Sequence, residues 1–468
     1  MKKAFSTVYA MLIMQSSLNN AARSSHCFTV KKTSKYHSFR IFAVSLICIN
    51  FVSLPSYAAE SLVQAWDVAL QRDHQLLASQ YQEQAAADQV RAARANYLPK
   101  LSMETGYLRT QSEPAAKIDL PALAFLKGAT LPFAQNSAYY GALNWSVPLL
   151  TSGKIAHGVA AAQAEAGASQ AQVRQTRSEL KLAVASAYLA VLRAEHGDSV
   201  ARTYLAALQS HRHDAQELFE HGYVPRRDLL AAEVAAANAR QMALQADNAL
   251  TLARAAYNRW LGRAYAAPVD LQDISAAATS DSSLAPYLHS ATEQRSELQQ
   301  LDARSQAYRE QAASVRAGYL PQIGLSGGYA KLDNRYLAQD KGWWLGVVLK
   351  WDLFDGGLIR AQASQLAAHA AAVQEMQRDT AERIALQVHQ AWLQQQEAAA
   401  RIQLVASAVA QAEEALQLAQ ERYRAGLAPA SEVLDAVSSR LQACSNRDNA
   451  LLDRELSRWQ LLYAAGTL

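Results

Sequence analysis

Cysteine is almost missing from this chain. Of 468 residues three are Cys, and two of these, Cys27 and Cys48, fall within the first 58 positions. Beyond them Cys444 stands alone, so no disulfide can form within the remaining chain. Helix breakers are also missing over long distances. Leu358 to Ala425 has neither Gly nor Pro, and Lys154 to His221 has no Pro. Past residue 58 no apolar run reaches the ~18 residues of a transmembrane helix. Acidic residues are absent from positions 1–58, which carry seven Lys/Arg. The formal charge of +4 is therefore misleading, since the rest of the chain holds 38 basic side chains against 41 acidic ones. A slightly acidic remainder argues against nucleic acid as a partner. Half of the residues are apolar, which argues against disorder.

The basic leader has the order of a secretory signal. Lys31, Lys32, Lys35 and Arg40 precede "IFAVSLICINFVSLP", and Ser56 and Ala58 supply small residues before a cleavage point near Ala58–Ala59. The competing reading is a membrane span, but Ile41–Leu54 is short of the ~20 apolar residues a span needs. A start near Val30 would give a leader of ordinary length. Neither leader cysteine has a lipoprotein-like context. An exported chain with no membrane helix is a periplasmic or secreted protein, or a β-barrel.

Motifs for chemistry are scarce. "GLSGG" at Gly324–Gly328 fits a nucleophile elbow, but it lies inside an alternating run and not at a strand-to-helix turn. "HRH" places His211 and His213 two residues apart, which a helix does not bring to one face, so these histidines are expected in solvent. "TSGK" at Thr151–Lys154 lacks the first glycine of a phosphate loop. The expectation is no catalysis, no cofactor and no metal.

What the chain does have is one pattern written twice. "VRAARANYLPKLSMETGYLR" (Val90–Arg109) is echoed by "ASVRAGYLPQIGLSGGYAK" (Ala313–Lys331). "PLLTSG" (Pro148–Gly153) is echoed by "DLFDGG" (Asp352–Gly357), and "GYVPRRDLLAAE" (Gly222–Glu233) by "GLAPASEVLDA" (Gly426–Ala436), each 204 residues on. Gly262 and Gly466 keep that offset, whereas the Tyr-Leu-Pro pair is 222 apart, so the 18 extra residues lie between Pro99 and Leu149. Each half reads helix, Tyr-Leu-Pro, strand, loop, strand, Gly, very long helix, Gly-x-x-Pro, helix, Gly. The boundaries are a signal peptide over 1–58, a first repeat over 59–262, a linker over 263–288 and a second repeat over 289–468.

The alternating runs read as strands. Leu101, Met103 and Tyr107 alternate with Ser102 and Glu104, and Leu143, Trp145 and Val147 with Asn144 and Ser146. In "QIGLSGGYAKL" Ile323, Leu325 and Tyr329 share a face. In "WWLGVVLKWDLF" Trp343, Leu345, Val347, Leu349 and Trp351 share one face, with Lys350 and Asp352 opposite. Such strands suit an outer-membrane barrel, although a half-buried sheet on a soluble core has the same period. The long runs favour the barrel. At 1.5 Å per residue each spans roughly 100 Å, far more than a globular domain. Their Ala content fits a thin wall of close-packed helices. Four strands cannot close a barrel, and open edges cannot face lipid, so several chains must share one barrel. Pro99 and Pro321 suit the first step of a strand, and Tyr97 and Tyr319 the wet edge of a bilayer.

This ordered series resembles the TolC-type outer-membrane efflux family over about Ala59 to Leu468. The resemblance implies a mainly α homotrimer with a small β part. A 12-stranded outer-membrane β-barrel would continue into a long periplasmic α-barrel wrapped by a smaller equatorial region. It implies a passive exit duct in the outer membrane of a Gram-negative bacterium, not an enzyme. The duct would work with a periplasmic adaptor protein and an inner-membrane transporter. Small amphiphiles such as drugs are the expected cargo, and type I protein secretion is the alternative. A soluble periplasmic coiled-coil scaffold is the competing reading from another class. The turns Gly222–Pro225 and Gly426–Pro429 would sit at the narrow periplasmic tip. Glu432 and Asp435 match paired acidic gate residues of the family, Asp228 and Tyr423 match a pair that locks the closed tip, and a family arginine falls here at Ala428. Acids in a first helical turn are also favoured by the helix dipole alone.

Overall fold

The computed structural model describes residues 59–117, 128, 130–273 and 283–468. The expected signal peptide lies outside these residues.

Helix α1 (Leu62–Arg72) opens on a capping box, in which Ser61 and Gln64 satisfy each other's backbone N–H. Asp73 ends it and caps α2 (His74–Ala95) by accepting from the Leu76 amide. Strand β1 (Lys100–Arg109) begins directly after Pro99. A small pair, β2 (Ala115–Lys117) and β3 (Thr130–Pro132), extends the first hairpin before β4 (Ser137–Leu150) returns. Helix α3 (Lys154–Glu220) runs for 67 residues and α4 (Arg226–Trp260) for 35. The second half follows with α5 (Ala285–Gln294), α6 (Ser296–Arg316), a 3-10 turn (Ala317–Tyr319), β5 (Gln322–Leu332) and β6 (Lys341–Lys350). Helices α7 (Leu358–Arg424) and α8 (Ala430–Ala464) again have 67 and 35 residues.

Breaker-free sequence and a fixed stop explain these lengths. Both long helices start after a left-handed glycine, Gly153 at φ 89° and Gly357 at φ 87°, and both stop before another, Gly222 at φ 77° and Gly426 at φ 71°. Only glycine adopts that backbone region at little cost. Helix α3 packs against α2, α4, α6 and α8, and α7 against α6 and α8. The contacts are built largely from alanine. Ala161, Ala168, Ala171, Ala185, Ala201 and Ala215 are buried on α3, and Ala363, Ala370, Ala391, Ala398 and Ala419 on α7. Among the described residues no helix is long and apolar enough to cross a membrane.

Midway along the helices lies the largest apolar cluster, including Val184, Tyr188, Leu189, Leu192, Tyr257 and Leu261. A polar clasp closes over it. Arg263 donates two hydrogen bonds to the Glu60 carboxylate at 2.9 and 2.6 Å, and the Tyr257 hydroxyl donates a third at 3.1 Å. Glu60 also forms a parallel bridge with Leu271. Burial pushes the Tyr188 hydroxyl up to about 12, so it stays a donor to the Glu60 and Gln272 carbonyls. In the second half, buried Arg295 donates to the Tyr463 and Ala464 carbonyls, holding the end of α8.

The four long strands make one antiparallel sheet in the order β1-β4-β5-β6. Its register puts two different surfaces back to back. Leu101↔Trp145, Met103↔Leu143, Leu143↔Tyr329, Tyr329↔Trp343 and Ile323↔Leu349 line one face. Lys100↔Ser146, Ser102↔Asn144, Ser146↔Ser326 and Gln322↔Lys350 line the other. Tight packing on each face uses glycine. A Cβ on Gly327 would lie 2.7 Å from the Trp145 ring, and one on Gly106 2.7 Å from the Tyr140 ring. The nucleophile-elbow match at Gly324–Gly328 is thus strand interior.

One expectation about the sheet is corrected. Trp351 and Asp352 do not belong to the last strand. The ladder stops at Gln322↔Lys350 because the preceding residue on β5 is Pro321, which has no N–H to donate. The Trp351 indole instead donates to the Tyr319 carbonyl at 3.0 Å, and Asp352 lies 3.8 Å from Lys350.

Candidate functional site

The two Gly-x-x-Pro turns are built alike. In the first, the Gly222 amide donates to the Phe219 carbonyl, Tyr223 to Leu218, and Asp228 to Pro225. In the second, Gly426 donates to Tyr423, Leu427 to Arg422, and Glu432 to Pro429. Each proline enters the next helix with the φ it prefers, −72° for Pro225 and −75° for Pro429. Asp228 and Glu432 therefore hold equivalent places in a first helical turn, where the helix dipole favours a carboxylate.

The turns close over a common small core. Leu208 and Ala215 of α3, Ala232 and Ala236 of α4, Leu416, Ala419 and Tyr423 of α7, and Val433 and Val437 of α8 pack together. Tyr423 is 2 % exposed, and its hydroxyl has no hydrogen-bond partner among the described residues. Burial, then the charges of Asp228 and Asp214, push its pKa up. Its ring lies 5.0 Å from that of His211.

His211 departs from expectation. It is buried at 3 % exposure, not solvated, because residue 211 faces the core under the turns, where the Tyr423 ring at the end of α7 lies against it. Its Nε2 has no partner, and burial holds its pKa below the ordinary histidine value against the pull of Asp214 and Asp228. His213 is exposed, so the two histidines do not converge. No cluster of three or more His, Cys, Asp or Glu side chains that could hold a metal occurs among the described residues.

Of the residues singled out from sequence, Asp228 is 7 % exposed and its carboxylate lies 3.4 Å from Arg227 Nε. It acts on Tyr423 through charge, without a hydrogen bond to it. Glu432 accepts from Arg422 at 2.7 Å. Asp435, one turn further on, is exposed. Two arginines that no sequence motif marks matter here. Arg422 ties the end of α7 to α8, and Arg424 ties it to α3 through Asp214 at 2.9 Å. Their signal was available: basic side chains in the last turn of a helix offset its dipole.

The arrangement suits a mechanical seam and not a reaction. The fold is shared with solved outer-membrane proteins. VceC of Vibrio cholerae superposes with a TM-score of 0.73 at 20 % identity, covering 86 % of this chain and 96 % of that one. The CmeC channel of Campylobacter jejuni gives 0.74 at 16 %, covering 87 % and 85 %. In sequence, the outer membrane protein TolC of Vibrio cholerae is 28 % identical over 421 residues, 88 % of this chain and 91 % of the relative. The outer membrane efflux protein profile matches residues 65–263 and 287–467. The chain therefore belongs to the outer membrane efflux protein family, as an outer-membrane efflux channel and not an enzyme.

Proposed function

We propose that three copies of this chain form one passive exit duct, the outermost part of a tripartite efflux system. The sheet carries the reading. Among the described residues, strands β1 and β6 each have one unpaired edge. The apolar face is open, with Met103 77 %, Trp343 79 % and Leu349 61 % exposed. An open edge and an apolar face together need both lipid and partner strands. Three copies give a 12-stranded barrel, within the range of outer-membrane barrels. The matching helix lengths and glycines of the two halves support an internal duplication, with repeats over 59–262 and 289–468 and an equatorial segment between. The 67-residue helices then form a periplasmic tube roughly 100 Å long.

The tip of that tube is the gate. Gly222–Pro225 and Gly426–Pro429 turn the chain there, Asp228 and Tyr423 sit in its seam, and Glu432 and Asp435 face the opening. A periplasmic adaptor and an energised inner-membrane transporter would deliver small amphiphiles to it. Mass measurement of the detergent-solubilised protein tests the architecture and should give three chains. A stable monomer with an intact sheet would sink it.

A further inference from the structure

A concavity of about 680 Å³ lies where the strands meet the helices, and three lysines from three elements line it. Lys100 opens β1, Lys154 opens α3, and Lys350 closes β6. No carboxylate is among the lining residues. The register places Lys100 and Lys350 on the polar face of the sheet, in rows with Ser146 and Gln322. Among the described residues, of the three lysines only Lys350 is paired with a carboxylate, Asp352 at 3.8 Å, in a pair that is mostly solvated. Lys100 makes a long 3.4 Å contact with the neutral Asn96 side chain. Pro148, Ile155 and Val348 add apolar surface between the ammonium groups. Nearby His157 is already joined to Glu310 at 2.8 Å.

Like charges gathered in one concavity repel, and a low-dielectric wall focuses their field. From this arrangement we infer that the concavity is a binding site for anionic amphiphiles, with a sulfonate, carboxylate or phosphate on an apolar body. The lysines hold the anionic group, and Pro148, Ile155 and Val348 take the apolar part. This rests on the exit-duct reading, in which the polar sheet face lines the lumen. Three copies then set nine ammonium groups in a collar where the helical tube opens into the barrel. The collar names a charge class of cargo at the membrane end, opposite in sign to the acidic residues at the tip. A lipid headgroup carries the same chemistry, and the lumenal placement of Lys100 and Lys350 separates the two sources.

The test uses 1-naphthalenesulfonate and its cationic counterpart 1-naphthylmethylammonium on the purified full-length protein in neutral planar bilayers. The sulfonate should reduce the current, more strongly at low salt. The Lys100→Gln/Lys154→Gln/Lys350→Gln variant should need at least ten-fold more of it for half block, with the response to the cation unchanged. Equal block of parent and variant, or equal block by both ions, overturns the site while leaving the duct standing. A protein that inserts but does not conduct sinks the duct and not the site. Calorimetric titration of the protein in dodecyl maltoside reads the site independently, and sulfonate binding that ignores the three substitutions overturns it. Lys154→Gln alone, outside the sheet, should weaken binding about three-fold even if the triple variant assembles poorly. Nanodiscs settle the source. Binding should match in phosphatidylglycerol and phosphatidylcholine discs, and its loss in phosphatidylglycerol alone would make this a lipid site and overturn the lumenal assignment.

Discussion

The His211 and Tyr423 rings meet 5.0 Å apart under the turns, each almost fully buried and each with a polar atom that has no partner among the described residues. The contact joins α3 to the end of α7, which the turns themselves do not link, since they connect α3 to α4 and α7 to α8. Its energy is therefore packing, with no hydrogen bond to lose at the phenol. Tyr423→Phe should leave the tip as stable as before, or slightly more so, since a buried unpaired hydroxyl costs roughly 1–3 kcal/mol. Tyr423→Ala should cost about 3–5 kcal/mol by opening a cavity. Thermal unfolding of the two variants side by side decides it. A large loss from the Phe variant would mean that the hydroxyl has a partner in the assembly.

The same contact predicts acid sensitivity. Burial lowers the His211 pKa, so the folded tip resists a proton that the unfolded chain accepts below about pH 6.5. Stability is intact above that value and falls as pH drops toward the depressed folded value. Asp214 on the same helix and Asp228 on α4 oppose the effect, while Arg424 from α7 is engaged with Asp214. Hydrogen exchange at residues 204–237 and 412–437, corrected for intrinsic rate, should rise several-fold between pH 7.5 and 5.0. His211→Phe should flatten that rise. A profile unchanged by this substitution assigns the sensitivity to other groups.

The sheet register makes a sharper prediction. Ile323↔Leu349 and Gln322↔Lys350 are neighbouring pairs on opposite faces. Leu345→Arg, midway along β6 on the Leu349 face, should impair barrel assembly by roughly 2–4 kcal/mol, whereas Leu349→Arg at the strand end should cost about 0–1 kcal/mol. Lys350→Leu should leave the amount of heat-modifiable oligomer unchanged. Reversed costs would put the polar face toward lipid.

The long helices, both hairpins and the paired turns could be read from the chain because each rests on local backbone chemistry. Gly153, Gly222, Gly357 and Gly426 mark helix ends wherever the fold places them, and Pro99 and Pro321 mark strand starts. Legibility failed where the answer depended on which helix lies opposite. Nothing near residue 211 says that Tyr423, at the end of α7, will lie against it, so a solvated His211 is what the local sequence implies. Trp351 continues a perfect alternation and leaves the strand only because its partner position is a proline, 30 residues away. The Glu60–Arg263 clasp joins side chains 203 residues apart and gives no local signal.

That clasp should matter for stability. The Glu60 side chain is 16 % exposed and that of Arg263 29 %, so the pair is shielded but not sealed. Glu60→Ala removes the acceptor of two arginine donors and one tyrosine hydroxyl. The expected loss is about 2 kcal/mol, below the ~3–5 kcal/mol of a fully enclosed pair. Glu60→Gln should recover part of it, keeping one acceptor oxygen. Denaturation followed by tryptophan emission, with Trp66 and Trp260 close to the clasp, reads the difference. Indistinguishable midpoints for all three proteins would reduce the clasp to a surface contact.

The two carboxylates of the proposed gate should not contribute equally. Glu432 is held by Arg422 at 2.7 Å, so its charge is largely offset on its own chain. Asp435 is exposed, and no ion pair to it is seen among the described residues. Three copies would then present Asp435 as the stronger negative ring at the opening, acting on ions within about a Debye length of ~8 Å at physiological salt. Asp435→Ala alone should remove most of the cation preference and most of the block by multivalent cations in single-channel recordings. Glu432→Ala should do little directly and instead free Arg422, shifting selectivity slightly toward anions. Arg422→Ala should do the opposite, exposing the Glu432 charge and strengthening cation block. The three variants form an ordered series, with Arg422→Ala most cation-selective, the parent next, Glu432→Ala below it and Asp435→Ala lowest. Equal selectivity across the series would show that these side chains do not face the conducting path, and the acidic gate would have to lie elsewhere on the tip.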